Sequence, residues 1–332
     1  MAKIVQQAKK RKRFLERAAA MTEITAKTRP HFHKLLQMCA DLPALRTAVI
    51  CPEEANALEG ALDARDAGLI APILVGDRSR IEMTANAAGL NIEGLEIVQG
   101  DTEEAAAHRG VDLVSEGKAD ALMKGYIHSD TYLAAVIRKE NGLRGKGRTS
   151  HCFVMDVPNW PRPVIITDAA LNVAPELKHL IAITQNGLDL ARALGIETPK
   201  AAILSATETP NPGIPSSMVA RQVADAAKAG QITGGEVDGP FALDNAVSIE
   251  AAELKGIKSS VAGDADILVV PNIEAGNIFF KALTFMGGGE TSGLVVGATA
   301  PVILTSRADS AEARLASSAL AVLYNEFLKT ST

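Results

Sequence analysis

Ser306 and Arg307, in the stretch PVILTSRADSAEARLASSALAVL (301–323), stand between a run that reads as a buried strand and one that reads as an amphipathic helix. Where a strand hands over to a helix in an α/β protein, the helix's first amides and positive dipole end point outward and suit an anion. Asp309 and Glu312 make a D-x-x-E pattern ahead of Leu315, Ala319, Leu323 and Phe327, which sets the helix start near Ser310. Capping accounts for both acids but not for Arg307, because a cation beside a positive helix end is unfavourable unless an anion is shared between them. A guanidinium is a planar fork that fits phosphate, and the Ser306 hydroxyl adds a hydrogen bond.

A second cluster, LMKGYIHSDTYLAAVIRKENGLRGKGRTSH (122–151), carries Lys124, Arg138, Lys139, Arg144, Lys146 and Arg148 at a strand end and in a glycine-containing loop. That density of positive charge suits a ligand with several phosphates; an ordinary solvated loop is the alternative for Arg144, Lys146 and Arg148 taken singly. The candidates in the turn after the strand are Lys124, Gly125, His128 and Ser129, with Arg138 on the helix that follows. Ser150 and His151 sit on the next strand, where a histidine either orients a phosphate or transfers a proton, or is a satisfied core residue. Asp168 and Asn172 end the strand VIIT ahead of a helix that Pro175 can start, which is also what a plain helix-start turn looks like. Asn277 and Lys281 share a helix face at i, i+4 before Gly287–Gly289.

The elements that must position these groups follow from apolar periodicity. From residue 45, short apolar runs (TAVIC, IAPILVG, ADALMKG) alternate with helix-period segments (EEANALEGALDARDAG, EEAAAHRGVDLVSEG), the signature of a parallel α/β sheet. A Pro-rich passage, DVPNWPRP, precedes a second alternating series (VIITDAALN, AAILSAT, DILVVPN, GLVVGA). The expected organisation is an N-terminal helical extension over 1–44, a discontinuous domain I from 45–155 and 301–332, and domain II over 156–300.

With 332 residues and 47% apolar content the chain buries a full core. Apolar runs are of strand length and no signal peptide opens the chain, so the expectation is a cytoplasmic protein with no membrane partner. A net charge of -5 and 4% aromatic residues disfavour nucleic acid, the basic KKRKR at 9–13 reading as a solvated helix face. Cys39, Cys51 and Cys152 lack metal-ligand spacing and read as reduced thiols, and the scattered histidines offer no metal site. Neither G-x-G-x-x-G, nor the Walker sequence, nor G-x-S-x-G occurs.

Taken in order, VSEGKADALMKG, GRTSH, TDAALN, PKAAILSATE, VDGPFALDNA, PNIEAGNIFFK and LTSRADS resemble the phosphate acetyltransferase and phosphate butyryltransferase family, the butyryltransferase branch most, over roughly 45 to 325. The resemblance implies an isocitrate/isopropylmalate dehydrogenase-like fold, two α/β domains around a cleft. It also implies reversible transfer of a short acyl group between coenzyme A and orthophosphate, with acyl-CoA, phosphate and acyl phosphate as substrates, no metal or redox cofactor, and a homodimer. Ser306 and Arg307 would hold the transferring phosphate, with Lys124, Gly125, His128, Ser129, Arg138, Ser150, His151, Asp168, Asn172, Asn277 and Lys281 as substrate contacts. Two departures stand out. The position of the acetyltransferase branch's proposed base is Ala313, which leaves Glu312 and Asp309 as the acids at hand; a family arginine aligns to Ala134, and Arg138, one turn on, is the substitute. A catalytically weak acyl-CoA-sensing domain from a fused enzyme is the alternative function.

Overall fold

A computed structural model describes residues 30–145, 147–158, 160–305 and 309–330. Ser306, Arg307, Lys146 and the basic run at 9–13 lie outside the described residues. The chain divides into two compact units, one of residues up to Leu143 with Val302–Asn325, the other of Arg144–Pro301 with the chain from Glu326 on.

In chain order the first unit contains α1 (Pro30–Met38), β1 (Leu45–Ile50), α2 (Ala55–Asp66), β2 (Ile70–Gly76), α3 (Arg78–Ala88), β3 (Ile97–Gln99), α4 (Glu103–Ser115), β4 (Ala121–Lys124) and α5 (Ser129–Val136). The second contains β5 (Ser150–Asp156), β6 (Val164–Thr167), α6 (Leu177–Ala193), β7 (Lys200–Leu204), α7 (Pro215–Lys228), β8 (Glu236–Phe241), α8 (Leu243–Val247), α9 (Ile249–Leu254), β9 (Ile267–Val269), α10 (Ile273–Phe285) and β10 (Glu290–Val296). The chain then returns through β11 (Val302–Ile303) and α11 (Ala311–Thr330), whose last turn lies with the second unit, where Arg192 stacks 5.4 Å over the Phe327 ring.

The first unit's strands run in the order β3-β2-β1-β4-β11, every neighbouring pair parallel. Strands covered on both faces read as continuous apolar runs, and ALMK of β4 is buried at all four positions. Side-chain caps start the helices: Glu54, Asp77 and Thr102 each accept from the amide three residues on.

The second unit's order is β10-β5-β6-β9-β7-β8. Its β6-β9-β7-β8 part is parallel, but β5 is antiparallel to both β6 and β10. The sheet is therefore mixed rather than wholly parallel. The cause is local: the Pro-rich passage 157–163 that joins β5 to β6 is too short for a helical crossover, so the chain turns straight back. The core beneath gathers Met155, Ile166, Ala202, Phe241, Leu268 and Val270. Pro175 does not start α6; the cap is Glu176, whose amide donates to His179 Nδ1 at 3.2 Å.

Candidate functional site

In the first unit, β4 ends in Lys124, only 7% exposed although charged. Gly125 follows because nothing larger fits: a Cβ there would lie 2.4 Å from the Ile50 carbonyl oxygen and 2.6 Å from that of Cys51. The strand end thus passes directly against β1, and the Lys124 ammonium, 3.4 Å from the Gly125 carbonyl oxygen, is held at the wall of a pocket shared with Tyr126, Thr305 and Arg314. Thr305 is the last described residue before Ser306, where the sequence placed its anion site. Arg314, to which the sequence reading gave no weight, donates Nη1 to the Asn56 carbonyl and packs on Gly60, where a Cβ would stand 2.8 Å from its Cδ.

The helix start differs from the expected D-x-x-E cap. The oxygen that accepts from the Ala313 amide, at 3.1 Å, is Ser310 Oγ, and the helix opens at Ala311. The cap thus stands one residue nearer the helix than expected: a cap at Asp309 would have taken the Glu312 amide, whereas Ser310 takes that of Ala313. Ala313 is buried, so the position aligned with the family's base faces the packed interior, whereas Glu312 is half-buried in the first turn.

His128 is the exposed N-cap of α5 without a side-chain capping bond, and its amide donates to Glu103 Oε2 at 3.1 Å. Ser129 opens that helix, also exposed. Arg138 does not continue the face of Ala134, because α5 ends at Val136; its guanidinium turns to Asp112 on α4 and to the Asn141 carbonyl oxygen at 3.3 Å.

In the second unit, Ser150 and His151 are fully buried on β5. Ser150 Oγ accepts from Asn186 Nδ2 at 2.8 Å, and the His151 ring lies 4.2 Å from that of Phe153, tilted by 54°. Asp168, at the end of β6 and 2% exposed, accepts the amides of Ala170, Leu171 and Asn172 at 2.9, 3.0 and 3.2 Å and the Asn172 side-chain amide at 2.5 Å. Asn172 Oδ1 in turn accepts from Arg148 Nε at 2.6 Å. The structure therefore brings Asp168, Asn172 and Arg148 into one chain of contacts, two of which the sequence singled out as a pair. Asn277 Nδ2 reaches the Ala169 carbonyl oxygen at 3.4 Å, while Lys281 points into solvent from α10. Asn186, buried in the middle of α6 and bonded to both Ser150 and the Arg148 carbonyl, was missed; nothing in ITQNGLDLA marks it, since its role depends on a loop 38 residues away.

All three cysteines are buried free thiols, and burial pushes each up to about 12. At neutral pH they carry no thiolate and are poor nucleophiles. Among the described residues no group of three or more His, Cys, Asp or Glu side chains could hold a metal ion, and no helix is long and apolar enough to cross a membrane.

Comparison with known proteins adds a family to this geometry. Residues 101–322 match the family model described as phosphate acetyl/butaryl transferase. A phosphate acetyltransferase of Rhizobium meliloti is 47% identical over 285 residues, 86% of this chain and 90% of that protein. A phosphate butyryltransferase of Clostridium acetobutylicum is 42% identical over 292 residues, 88% of this chain and 97% of that one. Among solved structures, a branched-chain phosphotransacylase from Enterococcus faecalis V583 superposes with a TM-score of 0.73 at 33% identity, covering 85% of this chain and 99% of the other.

Proposed function

The chain belongs to the phosphate acetyl/butaryl transferase family and is a phosphate acyltransferase, and we propose that it moves an acetyl, propionyl or butyryl group reversibly between coenzyme A and orthophosphate by direct attack in a ternary complex. The coenzyme sulfur attacks the carbonyl carbon of the acyl phosphate, the C–S bond forms, and the C–O bond to phosphate breaks with its electron pair leaving on the phosphate. The thiol proton passes to a carboxylate. The observation that carries direct transfer is the burial of Cys39, Cys51 and Cys152, whose protonated thiols leave no cysteine to form a covalent acyl-enzyme.

In this reading Arg307 neutralises the phosphate and the developing oxyanion, and Ser306 donates a hydrogen bond to the same group. Lys124 adds positive charge at the pocket wall, close to the segment that leads into Ser306. Glu312 is the proton acceptor: it stands in the first turn of α11, half-open to solvent, beside the buried Ala313. A coenzyme thiol with an ordinary pKa near 8.5 gains from such an acceptor. The fold in this reading is of isocitrate/isopropylmalate dehydrogenase type, and the chemistry uses no further cofactor. The working form is a homodimer, for which α10 and the cap residue after it present Ile278, Phe285 and Met286, 71%, 79% and 87% exposed.

The test is the phosphate- or arsenate-dependent loss of acetyl-, propionyl- and butyryl-CoA. Wild type consumes at least one thioester, and Arg307→Ala lowers kcat by about 10²–10³-fold. Survival of every thioester with wild type would establish the acyl-CoA-sensing alternative instead, and full activity of Arg307→Ala would remove that residue from the site. Glu312→Ala should slow turnover more than Asp309→Asn at equal folding stability; the reverse ranking discards Glu312 as acceptor.

A further inference from the structure

We propose that Arg148 receives a phosphate group of the substrates, and that Asn172 and Asp168 are positioning residues that aim it. The identity of the anion rests on the phosphate acyltransferase reading; the geometry of the arginine does not. The Arg148 guanidinium is tied at one nitrogen, Nε donating to Asn172 Oδ1 at 2.6 Å. Asn172 has only one usable orientation. Its Nδ2 donates to Asp168 Oδ2 at 2.5 Å and to the Thr149 carbonyl oxygen at 3.0 Å, so a flipped amide would set oxygen against carboxylate and N–H against N–H. Asp168 is itself fixed by the three backbone amides that follow it.

The main chain at Arg148 is fixed as well. Its carbonyl oxygen accepts from the buried Asn186 Nδ2 at 2.8 Å. Gly297, at φ +79°, closes on the same spot: a Cβ there would lie 2.6 Å from Asn186 Nδ2 and 2.8 Å from the Arg148 oxygen. An exposed arginine is thus anchored through its backbone by one buried asparagine and through its side chain by another.

The choice of anchor matters. A carboxylate would cancel the guanidinium charge, whereas an amide orients it and leaves the charge intact. Among the described residues no acid pairs with Arg148, and its two Nη groups have no protein partner. That is a preorganised fork of the shape that takes two oxygens of one phosphate. The shared chemistry has three possible sources: the ribose phosphate of coenzyme A, its diphosphate, and orthophosphate itself.

Isothermal titration of coenzyme A, dephospho-coenzyme A and orthophosphate separates them, run on wild type, Arg148→Gln, Arg148→Lys, Asn172→Ala and Arg148→Gln with Asn172→Ala. Steady-state kinetics runs alongside. Arg148→Gln is expected to weaken one phosphate-bearing ligand by about ten- to a hundred-fold and to raise the KM for that ligand. Arg148→Lys recovers part of the loss. A loss seen with coenzyme A but not its dephospho form assigns the ribose phosphate, a loss with both the diphosphate, and a loss with orthophosphate the transferring group. Asn172→Ala should weaken binding in the wild-type background and change little once Arg148 is glutamine. Wild-type affinity of Arg148→Gln for all three ligands overturns the proposal, and additive effects of the two substitutions overturn the positioning role. Because Arg148 is exposed, its variants fold even if Asn172→Ala does not. Wild type that turns over thioesters while Arg148→Gln binds normally sinks this inference alone; wild type that binds ligands without turnover sinks the transfer reading and leaves the titration to decide Arg148.

Discussion

Arg138 and Arg148 belong to one glycine-containing basic stretch, and the molecule holds them in opposite ways. Arg138, in the first unit, is clasped by the Asp112 carboxylate, and its side chain is only 21% exposed. Arg148, in the second, is clasped by the neutral Asn172 amide and remains exposed. The cations Arg162 and Lys200 follow the first pattern, meeting Asp264 at 2.6 and 2.7 Å. The lesson concerns partner chemistry rather than charge density: a carboxylate spends a cation on the fold, while an amide keeps it for something that arrives later.

Giving Arg148 a carboxylate tests this most severely. Asn172→Asp would provide one, but would also set a second buried carboxylate against Asp168. The expected outcome is a loss of about 3 kcal/mol in urea unfolding, in the range for an uncompensated buried charge, together with weaker phosphate binding. Unchanged stability and binding would show that the amide's neutrality is irrelevant.

Arg138→Ala should act on the fold alone. Removing the partner of Asp112 is expected to cost about 1–3 kcal/mol by chemical denaturation, with coenzyme affinity unaltered. A drop in affinity without a drop in stability would return Arg138 to the substrate contacts, where its alignment beside Ala134 had placed it.

The smallest effect is one of pH. Hydrogen bonding from Lys200, then Arg162, lowers the Asp264 carboxyl below its ordinary 3.8. A depressed folded value stabilises above the unfolded pKa and is lost as pH falls through the folded one, so this contribution fades below about pH 4. Asp264 is 40% exposed, which keeps the effect modest. The melting temperature of Asp264→Asn should therefore fall less between pH 5 and pH 3 than that of wild type; parallel curves would show that the cluster is inert.

The alternation of apolar runs and helix-period segments was enough to read the α/β class, because strands buried on both faces leave continuous apolar runs such as VIIT and ALMK. Strand direction was not readable at β5, since direction depends on the length of the 157–163 connection rather than on any residue in the strand. At the candidate site, Lys124 with Gly125 and Asp168 with Asn172 were marked by sitting at strand ends. Asn186 and Gly297 were not, because each acts on a residue far away in sequence. The Ser310 cap was hidden by a neighbouring aspartate that satisfies the same pattern one residue early.

Buried sulfur has a practical consequence. Cys39, Cys51 and Cys152 are each 6% exposed or less, with thiols held at about 12. A chromogenic disulfide added to count free coenzyme during turnover will find no competing target in the native polypeptide, so its colour tracks acyl transfer, and a late rise in signal with heating reports the protein coming apart.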